Sequence, residues 1–421
     1  MRLFDLPNEL LFDIVALLSV QAIIRLSQTS KQFLQLGMDR GLWDQLYNNS
    51  YLLRPPGPFA YQSSRDLAIA LFKSEKMDAA WSWAASPSAS PTPVNKRILT
   101  DYVNENSHLA LLLGRWLLVG GDPGVQVYDL DAAVDWPLSV GNIKGKIRQL
   151  LSTASTDGAG VHSAYVATLS AQRDFTPMLD VNGDLLVLVS TWGDITVRNI
   201  RTNQGYEIPH PQFELPSDHL SRFFCQTLVT PTHLIIAYVL DKRPTWFEVL
   251  PLPSESSPAS SESVSLSVSH RGHAGLSSIL NITLLSSTAS RVIVMATQHA
   301  LSKEFAFILE LQLEENGLLN SVVLHRQHFP NNLPYYMHIS AGTGSVLSAR
   351  GVGFRGHMAS STTQHHALRI LTDPEEESGY TIDVCKQTLS VQSVPGSTAF
   401  DGYRGRLAYV HIRQIIILDY I

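Results

Sequence analysis

The chain has 421 residues, 44% of them apolar and 16% charged, an ordinary globular composition with length for two or three domains, or one large domain with a small appendage. A net charge of −6, with no local cluster of Lys or Arg set against it, argues against a general binder of nucleic acid or anionic membrane. Two distant cysteines, Cys225 and Cys385, offer neither a metal motif nor a disulfide framework and are expected as buried free thiols in a reducing compartment.

The first 47 residues predict a run of short amphipathic helices. Pro7 suits a first helical position, and Glu9 sits in the first turn, where negative charge favours the helix dipole. Leu10, Ile14, Leu17 and Leu18 follow at helical spacing, with Leu11 and Val15 widening the stripe. Ser19 caps a second helix carrying Ile23, Ile24 and Leu26. Ser30 caps a third with Phe33 and Leu34, and Asp39 a fourth with Leu42, Trp43, Leu46 and Tyr47. About 45 residues have too little interior to hide all of these side chains, so some are expected to face a partner or the next domain.

The order of these motifs, LPNELLFDIVALLS, then a second helix, then LSQTSKQF, then LW, resembles an F-box. The resemblance implies docking on a Skp-type adaptor, and through it on a cullin, with the Leu-Pro start and helix one making the contact. Leu6, Pro7, Leu10 and Ile14 are the positions implied, with Leu17 and Leu26 as additions. The sequence departs from the family pattern at Ser19-Val20, where a Pro is frequent, at Ala22, where an acidic residue is common, and at Phe33, where Trp is usual.

Asp5, Glu9 and Asp13 break the apolar N-terminus and oppose its reading as a secretory signal. The longest apolar runs, such as LALLLGRWLLVGG at 109–121, fall short of the roughly 20 residues that cross a bilayer. A soluble protein of the cytoplasm, the nucleus or both is therefore expected. Residues 51–61 read as a turn segment, and Ser63 or Ser64 caps a further helix through Leu67 and Leu71 towards Trp81, bridging two domains. The stretches AASPSASPTP at 84–93 and PSESSPASSESVSLS at 253–267 read as solvated loops. The boundaries predicted are 1–50 for the F-box, 51–95 for a helical linker with its Ser/Pro-rich loop, and 96–421 for a substrate-binding β-domain.

From about residue 100 the pattern becomes extended, in short runs such as VQVYDL, LLVLVS, HLIIAYVL, EFAFILELQL and QIIILDY. In FAFILELQL, Phe305, Phe307, Leu309, Leu311 and Leu313 alternate as in a half-buried strand. Val125–Leu130, Ile195–Ile200 and Ile415–Tyr420 align in register, each ending a strand on Asp or Asn one residue before its last, and resemble degenerate WD-repeat blades. Asp129 and Asn199 lie 70 residues apart against a repeat of about 40–45, so either the loops are long or another blade intervenes. The expected class is α+β multidomain: a small all-α F-box, then a large all-β domain. A β-propeller of about six or seven blades is preferred, with paired β-sandwiches as the alternative.

Other motifs read blandly. Gly351-Val352-Gly353-Phe354-Arg355-Gly356 matches a dinucleotide fingerprint, but lacks a following helical stripe and reads as a glycine turn between strands. Asp180–Asp184 lacks the downstream ligands of a calcium loop and reads as a turn. His365 and His366, being adjacent, would point to opposite faces of a strand, and with His357 they read as loop or surface residues. No catalytic constellation, metal site or cofactor is called for. The function expected is that of a non-catalytic substrate receptor of an SCF-type ubiquitin ligase, binding an unnamed target protein through unnamed residues. The alternatives are a non-ligase scaffold that binds the adaptor, or a propeller enzyme with an F-box-like cap.

Overall fold

The computed structural model describes residues 6–50, 52–55, 57–81, 92–99, 107–112, 114–121, 124–132, 137–139, 147–156, 162–170, 178–182, 185–189, 195–200, 202–209, 223–240, 243–253, 264–277, 279–300, 303–329, 336–341, 348–356, 363–372, 380–391, 398–411 and 413–421. Among the described residues five helices come first: α1 (Asn8–Ala16), α2 (Val20–Ser27), α3 (Lys31–Met38), α4 (Arg40–Asn49) and α5 (Ser64–Ala80). Their starts follow local chemistry. The side chains of Ser19, Ser30 and Asp39 accept from the N–H groups of Ala22, Phe33 and Gly41, and Ser63 forms a capping box with Asp66. Pro7 stands one position earlier than the sequence suggests, as the extended N-cap of α1 with ψ 148°.

Strand β1 (Asn95–Leu99) follows, and the remaining strands form seven sheets among the described residues. The first holds β2 (His108–Leu112), β3 (Trp116–Gly120), β4 (Val125–Asp129) and β5 (Pro137–Ser139). The second holds only β6 (Ile147–Thr156) and β7 (His162–Ser170). The third contains β8 (Met178–Asn182), β9 (Leu185–Val189), β10 (Ile195–Asn199) and β11 (Gly205–Glu207). The fourth contains β12 (Phe223–Val229), β13 (His233–Leu240), β14 (Pro244–Pro251) and, after an excursion, β16 (His270–Ser277). That excursion places β15 (Val264–Ser265) parallel to β11, as a fifth strand of the third sheet.

The fifth sheet runs β17 (Ile279–Ser287), β18 (Arg291–Ala300), β19 (Lys303–Leu313) and β20 (Leu319–Phe329). The sixth runs β21 (Tyr336–Ala341), β22 (Ser348–Gly356), β23 (Thr363–Thr372) and β24 (Tyr380–Val391). The last joins β25 (Thr398–Asp401), β26 (Arg406–His411) and β27 (Gln414–Asp419) to β1. The leading strands β2, β6, β8, β12, β17, β21 and β25 touch one another in turn, and β25 returns to β2. This is a closed β-propeller. Its ring is fastened where β1 pairs antiparallel with β27. Each sheet built from an even number of strands returns the chain to the side where the next leading strand begins, so the two-stranded sheet keeps the ring in phase.

The three segments aligned in sequence, β4, β10 and the C-terminal strand β27, each stand third from the inner edge of their sheets. The long spacing between the first two is explained by the intervening β6–β7 sheet. Strand β13 shows why these runs are apolar on both sides. Ile235, Ala237 and Val239 pack towards the fifth sheet, while Leu234, Ile236 and Tyr238 pack with Val187, Val189 and Val197 of the third. Strand β19 departs from its sequence reading for the same reason. Ala306, Ile308 and Glu310 are buried along with Phe307, Leu309 and Leu311, because a sheet between two neighbours has no solvated face. The glycine-rich Gly351–Gly356 lies in the paired strand β22 rather than at a turn, with antiparallel neighbours on both sides.

The fourth and fifth sheets also meet at their outer edges, where the Arg271 N–H donates to the Gly317 carbonyl and Gly272 lies against Leu319. A Cβ at Gly272 would fall on the Leu319 carbonyl oxygen, whereas one at Gly275 would meet nothing. Gly272→Ala is therefore expected to destabilise the protein by about 1–3 kcal/mol through backbone displacement. Gly275→Ala should be neutral or stabilising by about 0.5–1 kcal/mol. Paired denaturant titrations check both, and equal behaviour of the two variants would remove the close approach as a cause.

An ionic network joins the last sheet to the first. Arg97 reaches Asp419 at 3.2 Å and donates to the Leu130 carbonyl at 2.6 Å. Arg406 bonds Asp419 and the Gly114 carbonyl, and lies 3.2 Å from Asp131. Beside this seam, Arg115 grips Asp129 at 2.9 and 2.7 Å and holds its carboxyl down to about 2, with the Asp131 and Ala132 N–H groups assisting. The unfolded carboxyl titrates near 3.9, so the folded state binds fewer protons between the two values. The Asp129 contribution should be whole above about pH 4 and lost as pH falls towards 2. Wild type and Asp129→Asn should differ in melting temperature at pH 6 and converge at pH 2. A constant difference across that range would contradict this assignment.

Candidate docking face of the helical module

The helical module closes around Val15, Val20, Ile23, Leu42, Trp43, Tyr47, Leu67 and Leu71. Directional polar contacts hold that packing in place. The Trp43 indole N–H donates to the Gly37 carbonyl at 2.8 Å, and the Tyr47 hydroxyl to the Pro55 carbonyl at 2.6 Å. Burial pushes the Tyr47 phenol up to about 12, with the Arg54 guanidinium 4.9 Å above its ring opposing the shift. Glu75 on α5 accepts from the Val20 and Gln21 N–H groups at 2.8 and 3.3 Å, so its carboxylate meets the positive end of α2.

This packing divides α1 into two faces. Leu11 and Val15 are buried at 2% exposure each, whereas Leu10, Ile14 and Leu17 remain 49%, 42% and 86% exposed. Three large apolar side chains at i, i+4 and i+7 thus form an uncovered stripe, beside which Leu18 is 38% exposed. Leu6 is half-buried and Pro7 exposed at its start. Leu26 differs from these, because it is partly buried against the module's own core. Leu34 and Met38 of α3 are also exposed, at 43% and 64%. Leu34 is read in sequence only as an apolar position of the third helix and Met38 is not singled out there, although their i, i+4 spacing on a short capped helix is a usable signal.

Helix α5 connects this module to the propeller. Its first half contributes Leu67 and Leu71 to the helical core, and its end places Met77 and Trp81 against Leu407, Tyr409, Ile416, Leu418 and Tyr420 of the closing sheet. The Trp81 ring lies 5.4 Å from Phe400 and 5.7 Å from Tyr420, the latter edge-on. Gly405, at φ +61°, admits the Met77 thioether where a Cβ would clash. The Ile415 and Ile417 side chains of the same C-terminal strand face the first sheet.

Within the propeller, the buried Cys225 thiol is pushed up to about 12, chiefly by burial and also by Glu248, so it is held protonated and is no nucleophile. Glu248 accepts from the Tyr238 hydroxyl at 3.2 Å. A cleft of about 580 Å³ along β10 and β11 carries Arg198 and Glu207 as its charged lining groups. No group of three or more His, Cys, Asp or Glu able to hold a metal stands among the described residues. His365 and His366 occupy successive positions of β23, opposite Gln387 and Lys386 of β24. His357, together with Gly183 and Asp184 of the Asp180–Asp184 motif, lies outside the described residues, as does most of each Ser-rich stretch. No described helix is long and apolar enough to cross a membrane.

Residues 3–49 match the F-box-like family model. No curated protein matches the chain. Among solved structures, the β-propeller domain of Nup133 from Vanderwaltozyma polyspora aligns over 77% of this chain and 97% of its own, at 7% identity and a TM-score of 0.45. Domains 1–2 of the extracellular part of Drosophila Semaphorin 1a align over 79% and 89%, at 9% identity and 0.43. BamB from Moraxella catarrhalis aligns over 78% and 99%, at 11% identity and 0.34. The propeller rests on the contacts that run round its own ring of sheets and on the β1–β27 pairing. The chain thus joins an N-terminal F-box-like module to a closed β-propeller.

Proposed function

We propose that this protein is the non-catalytic substrate-recognition subunit of an SCF-type cullin-RING ubiquitin ligase, acting in the cytoplasm, the nucleus or both. Its F-box-like module docks on a Skp-type adaptor, and the propeller, which we read as built of degenerate WD-type blades, holds a target protein. The observation that carries this reading is the uncovered apolar stripe of Leu10, Ile14 and Leu17 within the segment that matches the F-box-like model. An exposed stripe of this kind on a small module with a complete core is best explained by a partner. The chain's contribution is proximity: tethering a target beside a charged ubiquitin-conjugating enzyme raises effective concentration without this chain making or breaking a bond.

The test is reconstitution of the full chain with a Skp-type adaptor, a cullin and its RING partner. Formation of a stoichiometric four-protein complex, with ubiquitin transferred to a lysine-bearing peptide fused to the propeller's C-terminus, supports the proposal. Adaptor binding without cullin recruitment would leave a scaffold, and no adaptor binding would remove the ligase reading.

A further inference from the structure

We propose that the outer strand β20 takes an extended acidic segment of a target protein, with an aliphatic residue against Val323 and carboxylates on Arg326 and His328. The inference rests on reading the propeller as the part that holds the target, and gives that part a place and a chemistry. Val323, Arg326 and His328 pair across the strands with Leu309, Phe307 and Phe305, so they share the face of the fifth sheet that looks towards the fourth. On this face Ser321 still touches the fourth sheet, its hydroxyl donating to the His273 carbonyl at 3.2 Å. From that contact β16 runs on only to Ser277, while β20 continues to Phe329. Arg326 and His328 therefore stand beyond the end of β16 and are exposed, and Val323 before them is 48% exposed.

The charge on this face is of one sign. The Arg326 guanidinium lies 4.3 Å over the Phe305 ring and 5.6 Å over that of Phe307, and the His328 ring stands 5.1 Å from Phe305. Arg271 and Arg291, of the same two sheets, are spent on Glu248 and Glu310. Arg326 has no carboxylate partner among the described residues, and no Asp or Glu stands in register on this face of β18, β19 or β20. In a chain of net charge −6, a purely cationic face is complementary to an anion. Stacking on the rings fixes the plane of the guanidinium and leaves its in-plane N–H groups for a carboxylate.

The spacing favours an extended partner. Arg326 and His328 are two residues apart on one strand, about 7 Å, which is the repeat of alternate side chains in a second strand. Val323 lies on the other side of the β-bulge opposite Ile308 and Leu309, so the aliphatic residue precedes or follows the acidic pair. One guanidinium matches one carboxylate in charge and planar geometry, whereas a phosphate dianion calls for more cations than this face holds.

The test is fluorescence anisotropy of the full chain with a labelled peptide that carries one leucine and glutamates at two alternate positions, with hydrogen exchange on residues 319–329 to locate it. Wild type is expected to bind in a salt-sensitive manner, with protection gained on β20. Arg326→Glu should weaken binding at least about tenfold with unchanged circular dichroism, and Val323→Asp should do the same. Arg326→Glu with His328→Glu should instead bind the peptide whose glutamates are replaced by lysines, which wild type should not. Arg198→Glu, on the third sheet, should bind as wild type does. A Leu10→Asp, Ile14→Asp variant should also bind as wild type does, which separates failure of this site from failure of adaptor docking. No binding by wild type, or equal binding by Arg326→Glu, overturns the proposal. Binding only when phosphoserines replace the glutamates overturns it too, and would make this face a phosphopeptide site.

Discussion

Replacing Leu10 and Ile14 together by Asp is expected to abolish capture of a Skp-type adaptor while leaving the protein folded. Both side chains are about half exposed, so their replacement costs the module little of its own stability, within about 1 kcal/mol. In a complex the balance reverses. Covering a Leu or Ile fully yields about 1.5–3 kcal/mol relative to leaving it exposed, and half-exposed residues have roughly half of that still to gain. A carboxylate in the same position adds a desolvation cost of several kcal/mol unless it is paired. Two such changes should weaken binding at least about 100-fold, or 2.8 kcal/mol. The opposite face provides the control. Leu11→Ala removes a side chain at 2% exposure and should cost about 2–5 kcal/mol of stability, yet leaves the outward stripe in place. Leu26→Ala should behave more like Leu11→Ala than like the double variant, because Leu26 leans on the module's core. Calorimetric titration of adaptor into each variant, with thermal melts in parallel, checks this. Unchanged affinity in the double variant would refute docking through α1.

What could be read in advance was whatever is local. The caps at Ser19, Ser30, Asp39 and Ser63 act over two or three residues, so sequence spacing is sufficient to find them. The third strands β4, β10 and β27 were likewise visible, since each carries alternating β-branched residues into an Asp or Asn. Long-range pairing was not visible. Nothing in Asn95–Leu99 announces that it closes on a strand more than 300 residues away, and the two-stranded sheet disturbed the repeat spacing. The alternation in β19 misled because it presumes one solvated face, and a sheet flanked by two others has none. In the exposed α1 stripe, periodicity finds the helix, but only packing shows which face the core consumes. Leu10 and Leu11 look alike in sequence and differ in exposure by 49% against 2%.

The second large effect is expected at Trp81. A helical module of fewer than 80 residues rarely supplies more than about 3–5 kcal/mol of stability from its own core. Here that core is extended by α5, whose end is buried in the closing sheet: Met77 and Trp81 are both fully covered, with Phe400 and Tyr420 against the indole. Truncating a buried Trp to Ala costs about 3–5 kcal/mol, as much as the module's whole margin. Trp81→Ala should therefore divide a single cooperative unfolding transition into two, the helical signal at 222 nm melting first and the propeller later. Trp81→Phe, which retains an aromatic ring against Tyr420, should keep one transition at a lowered temperature. If the module docks on the adaptor as proposed, adding adaptor at 100 times its dissociation constant should return about 2.7 kcal/mol to the early transition in Trp81→Ala, because a ligand of the folded module alone stabilises it. The same addition to a Leu10→Asp, Ile14→Asp, Trp81→Ala triple variant should return nothing. A single unshifted transition in Trp81→Ala would mean that the Trp81 contact is not what couples the module to the propeller. Two transitions would make α5 the element through which the closing of the ring, by β1 on β27, also fixes the docking face in place.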